Sequence, residues 1–217
     1  MSDTPAVPRP DNAAEGAVTP ATPAATPAVA SVVPPTMFRI AGGLIALAGV
    51  FHFVSYITPT LELAVLVGIL QALSLIGAFV VFLRAGFPHR GTVPRVLAIA
   101  MIAIYAVSAL SLLAVMSPAF LTITLIIGLI TLVVGVIFGV VTMRTAGIAP
   151  HIARLPIALY LSLFLLGRLG GLLGTDWAGI LPAFAYLLVG ILFIAFADRG
   201  TPATTPTTPA PPAAPAA

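Results

Sequence analysis

Between Ser117 and Arg144 the chain reads PAFLTITLIIGLITLVVGVIFGVVTM, Pro118 to Met143, without a single charged residue. A helix rising about 1.5 Å per residue needs roughly 20 residues to cross a hydrocarbon core of about 30 Å, and this run exceeds that length. It is apolar on every face, so it has no polar stripe to turn toward water, and lipid is its natural solvent. Five more runs have the same character: Phe38 to Ile57, Leu61 to Leu83, Pro94 to Met116, Leu155 to Gly174 and Trp177 to Ala197. A soluble core hides one such helix, but six leave no polar surface for water. The expected fold is an all-α membrane protein, a six-transmembrane helical bundle over 37–199, with tails at 1–36 and 200–217.

Local punctuation agrees with these spans. Ser117 before Pro118 reads as an N-cap followed by proline at the first helical position, where a missing amide hydrogen costs nothing, and Pro94 and Pro156 suit helix openings for the same reason. Glu62 and Asp176 fall at helix starts, where a negative charge complements the macrodipole. Trp177 fits the aromatic belt at a membrane interface.

Orientation follows from the arginines, because basic residues near span ends are retained on the cytoplasmic side. Arg39, Arg84, Arg90, Arg95, Arg144, Arg154 and Arg199 all fall on one side of the serpentine, whereas the connections around Thr58, Ser117 and Asp176 hold no Lys or Arg. Arg168 alone breaks the pattern. Both termini are expected in the cytoplasm, the net charge of +3 being this retention signal rather than a nucleic-acid surface. The nine basic residues are all arginines and alanine is abundant, which points to a GC-rich bacterial genome and hence to the inner membrane of a cell.

Two inner loops share a pattern. Arg84-Ala85-Gly86-Phe87-Pro88-His89-Arg90 and Arg144-Thr145-Ala146-Gly147-Ile148-Ala149-Pro150-His151, the latter continuing to Arg154, both spell Arg, Ala-Gly, Pro-His, Arg. Arg39, Arg95 and Arg154 each open a hairpin that closes at Arg84, Arg144 and Arg199, so three tandem helical hairpins in parallel orientation are one reading. The other is convergence, since inner loops collect Arg, Gly and Pro as stop and turn residues. With an Arg opening each hairpin and spaced glycines such as Gly128 and Gly135, the arrangement resembles the architecture of HdeD-type bacterial acid-resistance membrane proteins. The resemblance carries over no residue and no function.

The tails consist mostly of Ala, Pro, Thr and Gly, with Thr-Pro pairs beginning at Thr4, Thr19, Thr22, Thr26, Thr201, Thr205 and Thr208. Such segments cannot bury enough apolar surface to offset chain entropy and are expected to be disordered with polyproline character. They serve either as solubilising spacers or as docking sites for a proline-binding module or a proline-directed kinase. No basic n-region joined to an apolar h-region precedes the first span, so no cleavable signal peptide is expected.

Several chemistries are disfavoured. The chain has no cysteine, which excludes thiolate nucleophiles, disulfides and cysteine metal sites. His89 and His151 fall in inner loops and His52 near the outer end of its span, so no pair is placed to share a haem iron. There is no Walker lysine, His-Glu-x-x-His pair, Asp-rich motif or Gly-x-Ser-x-Gly elbow. No catalytic residue, metal, cofactor or nucleic-acid partner is expected, and the chain reads as no enzyme.

What remains is a small polar set within the spans. Arg168 lies in the outer half of the fifth helix, His52 at a comparable depth on the first, and Gln71 near the middle of the second, with Glu62 and Asp176 as the acids on that side. An ionisable group inside a membrane is costly unless paired, which marks these five residues as a candidate polar cluster: Arg168 pairing with Glu62 or Asp176, and His52 relaying protons. In the bland reading Arg168 snorkels to the headgroups and the others are wetted at the interface. Gly135 with Gly139, Gly167 with Gly171 and Gly170 with Gly174 are small-xxx-small pairs that let helices approach closely, either inside the bundle or against a homo-oligomer or membrane-protein partner. Gln71, Ser74, Ser108, Ser111 and Ser162 are expected to hydrogen-bond between helices.

The sequence thus describes an integral membrane protein, embedded in the lipid bilayer, with a structural, stress-related or partner-binding role. The alternative is a small-solute or proton-linked transporter using the outer polar cluster. A reporter fused to either terminus should be active only on the cytoplasmic side, and periplasmic labelling of either end would refute the topology.

Overall fold

Hydrocarbon offers no hydrogen bonds to a bare backbone, so an open chain in lipid must satisfy its amides internally, and the helix does so within a single segment. The computed structural model describes residues 34–88, 91–145, 148–173 and 175–200. The N-terminal tail before these residues, the C-terminal tail after them, His89, Arg90, Ala146, Gly147 and Gly174 lie outside the described residues, as do the surroundings of Gly171 and the side chains of Asp176 and Arg199. The helices are α1 (Pro35–Ile57), α2 (Leu61–Ala85), α3 (Thr92–Leu112), α4 (Phe120–Arg144), a short α5 (Pro150–Ala153), α6 (Leu155–Leu173) and α7 (Thr175–Phe196), followed by a 3-10 turn at Ala197–Gly200. Six candidate spans, one of them joining α5 to α6, are long and apolar enough to cross a membrane. The chain is an all-α, six-transmembrane bundle.

Two boundaries differ from expectation. The third span ends at Leu112, short of Met116, and α4 begins at Phe120 with Ala119 as its N-cap, so Ser117 does not cap it. Between them the chain runs through tight turns, with Val115 N–H donating to the Leu112 carbonyl and Ser117 N–H to that of Ala114. The Ser117 hydroxyl instead accepts the Ala119 N–H at 3.3 Å. Proline cannot donate to a helix ladder, so the tight turn absorbs Pro118 before α4 starts.

Neighbouring helices pack in the order α1, α2, α3, α4, α6, α7 and back to α1, closing a ring. The closure between α1 and α7 is made by small residues. A methyl group on Gly42 would lie 2.6 Å from the Gly190 carbonyl oxygen, and one on Gly49 would lie 2.9 Å from that of Ala183. On the far side, Gly139 of α4 meets the Ile157 backbone of α6 and Gly135 meets the Tyr160 ring. Lipid tails are as apolar as leucine, so helices associate here through dispersion at close range, which these glycines permit.

The hairpins share an inward register. One residue before each opening arginine are Phe38, Pro94 and Ala153, and six after it are Ile45, Met101 and Tyr160, all buried. Six residues before each closing arginine are Ala78, Phe138 and Phe193, also buried. An arginine held at the interface fixes both depth and rotation, so equal spacing from it puts equivalent residues on the ring's inner face.

At the arginine end the ring is filled. Gly86 ends α2 in the left-handed region at φ 69°, and the next amide, Phe87 N–H, donates back to the Phe82 carbonyl at 2.9 Å. This Schellman closure turns Phe87 inward onto Phe82, with ring centroids 4.9 Å apart. Phe38, Phe79, Phe138 and Phe193 complete the cluster, with centroid separations such as 5.3 Å for Phe38–Phe87 and 5.5 Å for Phe79–Phe138. Arg39 reaches both carboxylate oxygens of Asp198, the nearer at 2.7 Å, and ties the start of α1 to the end of α7. Both groups are more than half exposed, so the pair contributes under about 1 kcal/mol.

Gly139→Leu should separate α4 from α6, because its Cβ would lie 2.7 Å from Ile157 backbone atoms. The expected cost is about 1–3 kcal/mol, typical of overpacking, read as a lower melting temperature in detergent. Gly128→Leu on the same helix should leave the melting temperature unchanged, since a Cβ there meets nothing within 4 Å.

Candidate functional site

Beyond the phenylalanine cluster, the half of the ring away from the arginine loops is hollow. The cavity measures about 920 Å³ and is walled by the C-terminal parts of α1 and α3, the N-terminal parts of α2 and α4, and the facing parts of α6 and α7. Thirteen residues before the closing arginines stand Gln71, Thr131 and Tyr186, and all three line it. The hairpin register therefore places equivalent positions around a common space.

Most of the wall is aliphatic, with hydroxyls such as Ser55, Ser111 and Thr124 set into it, and the tyrosine, glutamine and histidine side chains gather at the floor. Tyr105 of α3 and Tyr160 of α6 meet hydroxyl to hydroxyl at 3.3 Å. His52 Nδ1 of α1 lies 3.2 Å from Gln71 Oε1 of α2, and Tyr186 of α7 is a further side-chain partner of Gln71. The Tyr186 ring is 6.0 Å from the imidazole, and the Gly179 backbone gives His52 another hydrogen-bonding partner. Pro182, which also lines the cavity, sits inside α7 and has no N–H to give the helix ladder. Buried amides and phenols need partners, and these residues find them in each other across five helices.

Arg168 lies nearer the mouth, two turns beyond Tyr160 on α6, which at about 1.5 Å per residue is about 12 Å. Its guanidinium packs over the Phe164 ring, 5.6 Å from the centroid, and both residues line the cavity. Tyr160, Leu163, Phe164 and Arg168 recur at helical spacing and form one stripe of α6.

Of the five residues singled out from the sequence, Arg168, His52 and Gln71 share this cavity. Glu62 is exposed in the first turn of α2 and is not part of the lining, and no ion pair joins it to Arg168 among the described residues. The Asp176 side chain lies outside the described residues. Tyr105, Tyr160 and Tyr186 were missed by sequence reasoning. Their signal was distance from the arginines: Tyr160 shares the register of Ile45 and Met101, and Tyr186 that of Gln71.

The serines behave differently from expectation. Ser74, Ser111 and Ser162 donate to carbonyls of their own helices, those of Leu70, Ser108 and Leu159, at 2.9, 2.7 and 2.9 Å. In a medium without water, the carbonyl three or four residues back is the nearest acceptor, and a hydroxyl takes it first. Gln71 is too long for that bond and reaches α1. Gly135 and Gly139 face α6, whereas Gly167 has nothing within 4 Å of its Cβ position.

Among the described residues, no three His, Asp or Glu side chains gather as a metal site. The cavity's chemistry is instead that of a hydrogen-bonding floor under apolar walls, an arrangement that holds and orients a small molecule. No family model, curated protein or solved structure matches this chain.

Proposed function

We propose that this integral membrane protein binds a small, mostly apolar solute in the ring cavity and handles it from the face opposite the arginine loops, as a carrier does. One observation carries the reading: a space of about 920 Å³, closed by packed phenylalanines at one end and floored by tyrosine, glutamine and histidine. That volume lies in the range of small-molecule sites, about 300–1,000 Å³, and the mix of apolar wall with a few convergent polar groups is what such sites use. A purely structural or partner-binding component has no need of a hollow core, since dispersion between packed helices would stabilise it better filled. The cavity thus favours solute handling over a scaffold or stress-related envelope role.

Orientation by the arginines would open the cavity to the periplasmic side of a bacterial inner membrane. For movement through the bundle, the phenylalanine cluster is the barrier, since its rings fill the ring's centre on the arginine side. Among the described lining residues there is no carboxylate, so His52 is the group through which a proton-linked cycle would run. No catalytic role is proposed.

In lipid nanodiscs the protein should bind a neutral, environment-sensitive naphthalene dye saturably. Gly128→Leu, which projects a side chain from the lining without a steric clash, should weaken binding at least about tenfold, the effect of losing roughly 1.4 kcal/mol. Unchanged binding would overturn the reading. Arg168→Ala should insert normally, its guanidinium packing on Phe164 alone among the contacts described, and should slow dye movement across proteoliposomes.

A further inference from the structure

On its glycine face, α4 is seated along only half its length. Gly135 and Gly139 seat it on Tyr160 and Ile157 of α6, whereas at Gly128, two turns nearer its start, no atom lies within 4 Å of a Cβ position. From Leu121 to Ile126 every residue of α4 is exposed. Leu125 is 72% exposed and Leu129 is 58% exposed, yet both line the cavity. Residues that border the cavity and the outside surface together mark where the two meet. Leu129 is nine residues into the helix, about 13 Å along its axis, a depth at which the surroundings of a spanning helix are acyl chains. The opening therefore runs down the side of the bundle as well as across its end.

The floor states what it prefers to hold. In the Tyr105–Tyr160 pair one hydroxyl donates to the other, and the second O–H has no further hydrogen-bond partner among the described residues. The floor thus has a donor to give. No carboxylate stands among the described lining residues to attract a cation, and the single guanidinium among them, that of Arg168, is engaged over the Phe164 ring, 5.6 Å from its centroid, rather than at the Tyr105–Tyr160 pair. An uncharged oxygen acceptor matches that donor, and an ion does not.

We infer that the cavity takes a lipid-soluble molecule with a neutral carbonyl head, admitted sideways past the outer half of α4, its oxygen resting on the Tyr105–Tyr160 pair and its apolar body along the aliphatic wall. The inference rests on the solute-binding reading and names the class of solute.

An alkyl-substituted benzophenone serves as probe, since its ketone is both the proposed head and the photoreactive group. With the protein in lipid nanodiscs, illumination should place adducts on α3, α6 and the first half of α4. The Tyr105→Phe, Tyr160→Phe double variant keeps both rings packed and removes only the hydroxyls, and should weaken labelling roughly three- to tenfold. A diphenylmethane of the same chain length, lacking the carbonyl, should compete less well than the ketone by a similar factor. Equal competition by diphenylmethane, or better competition by an alkyl sulfate, would overturn the carbonyl head while leaving a solute site standing. Equally rapid labelling by a sulfonated benzophenone confined to water would overturn entry from the lipid. Adducts that are insensitive to Gly128→Leu and scattered over the lipid-facing surface would instead remove the solute-binding reading itself.

Discussion

The close approach of helix backbones at a few glycines governs this structure. Removing an apolar side chain from lipid gains little, because the tails it leaves are as greasy as the core it enters, so association depends on how many atoms come within dispersion range. Gly42, Gly49 and Gly190 bring α1 and α7 together, and Gly135 and Gly139 bring α4 onto α6. These contacts close a ring. At Gly128 the packing is open, with nothing within 4 Å of a Cβ position. One packing rule, satisfied along part of a helix and absent along the rest, yields both the bundle and its cavity.

Aromatic chemistry divides the interior into two compartments. Phe38, Phe79, Phe82, Phe87, Phe138 and Phe193 meet in edge and tilted contacts on the arginine side, where bare rings need nothing but each other. The next layer outward is Tyr105, Tyr160 and Tyr186, which pack as well but bring hydroxyls that must be answered. Tyr105 and Tyr160 answer each other, and Tyr186 joins Gln71, which His52 also meets, at the base of the hollow. In the solute-binding reading, site and barrier are adjacent layers, and a molecule at the floor would rest directly above the phenylalanine rings. In a carrier, repacking of those rings would be the step that binding has to bias.

The short Arg84–Arg90 loop connects sequence to barrier most directly. Gly86 is the one described residue at positive φ, and its left-handed turn aims Phe87 into the ring. A surface loop in the linear sequence supplies part of the core because one residue without a Cβ reverses the chain.

Much of this was legible beforehand. The six spans and their approximate boundaries follow from hydropathy and length, because a bilayer imposes the same thickness on every helix, whereas Arg168 and His52 were read at comparable outer depths and Gln71 near mid-span. The loop arginines suggested a hairpin repeat, and buried positions recur at equal distances from them. The Gly135–Gly139 pair was visible from its four-residue spacing, whereas Gly42 with Gly49 hid in a seven-residue one. The cavity was not legible. Helices apolar on every face give no sign of which face turns inward, and a void is a property of neighbours rather than of any single segment. Only the ring order could show that Tyr105 of α3 meets Tyr160 of α6, that Tyr186 of α7 meets Gln71 of α2 in the same cavity, and that Glu62 stands outside its lining. Composition determined the solvent of this chain, and helix packing decided what its interior is able to hold.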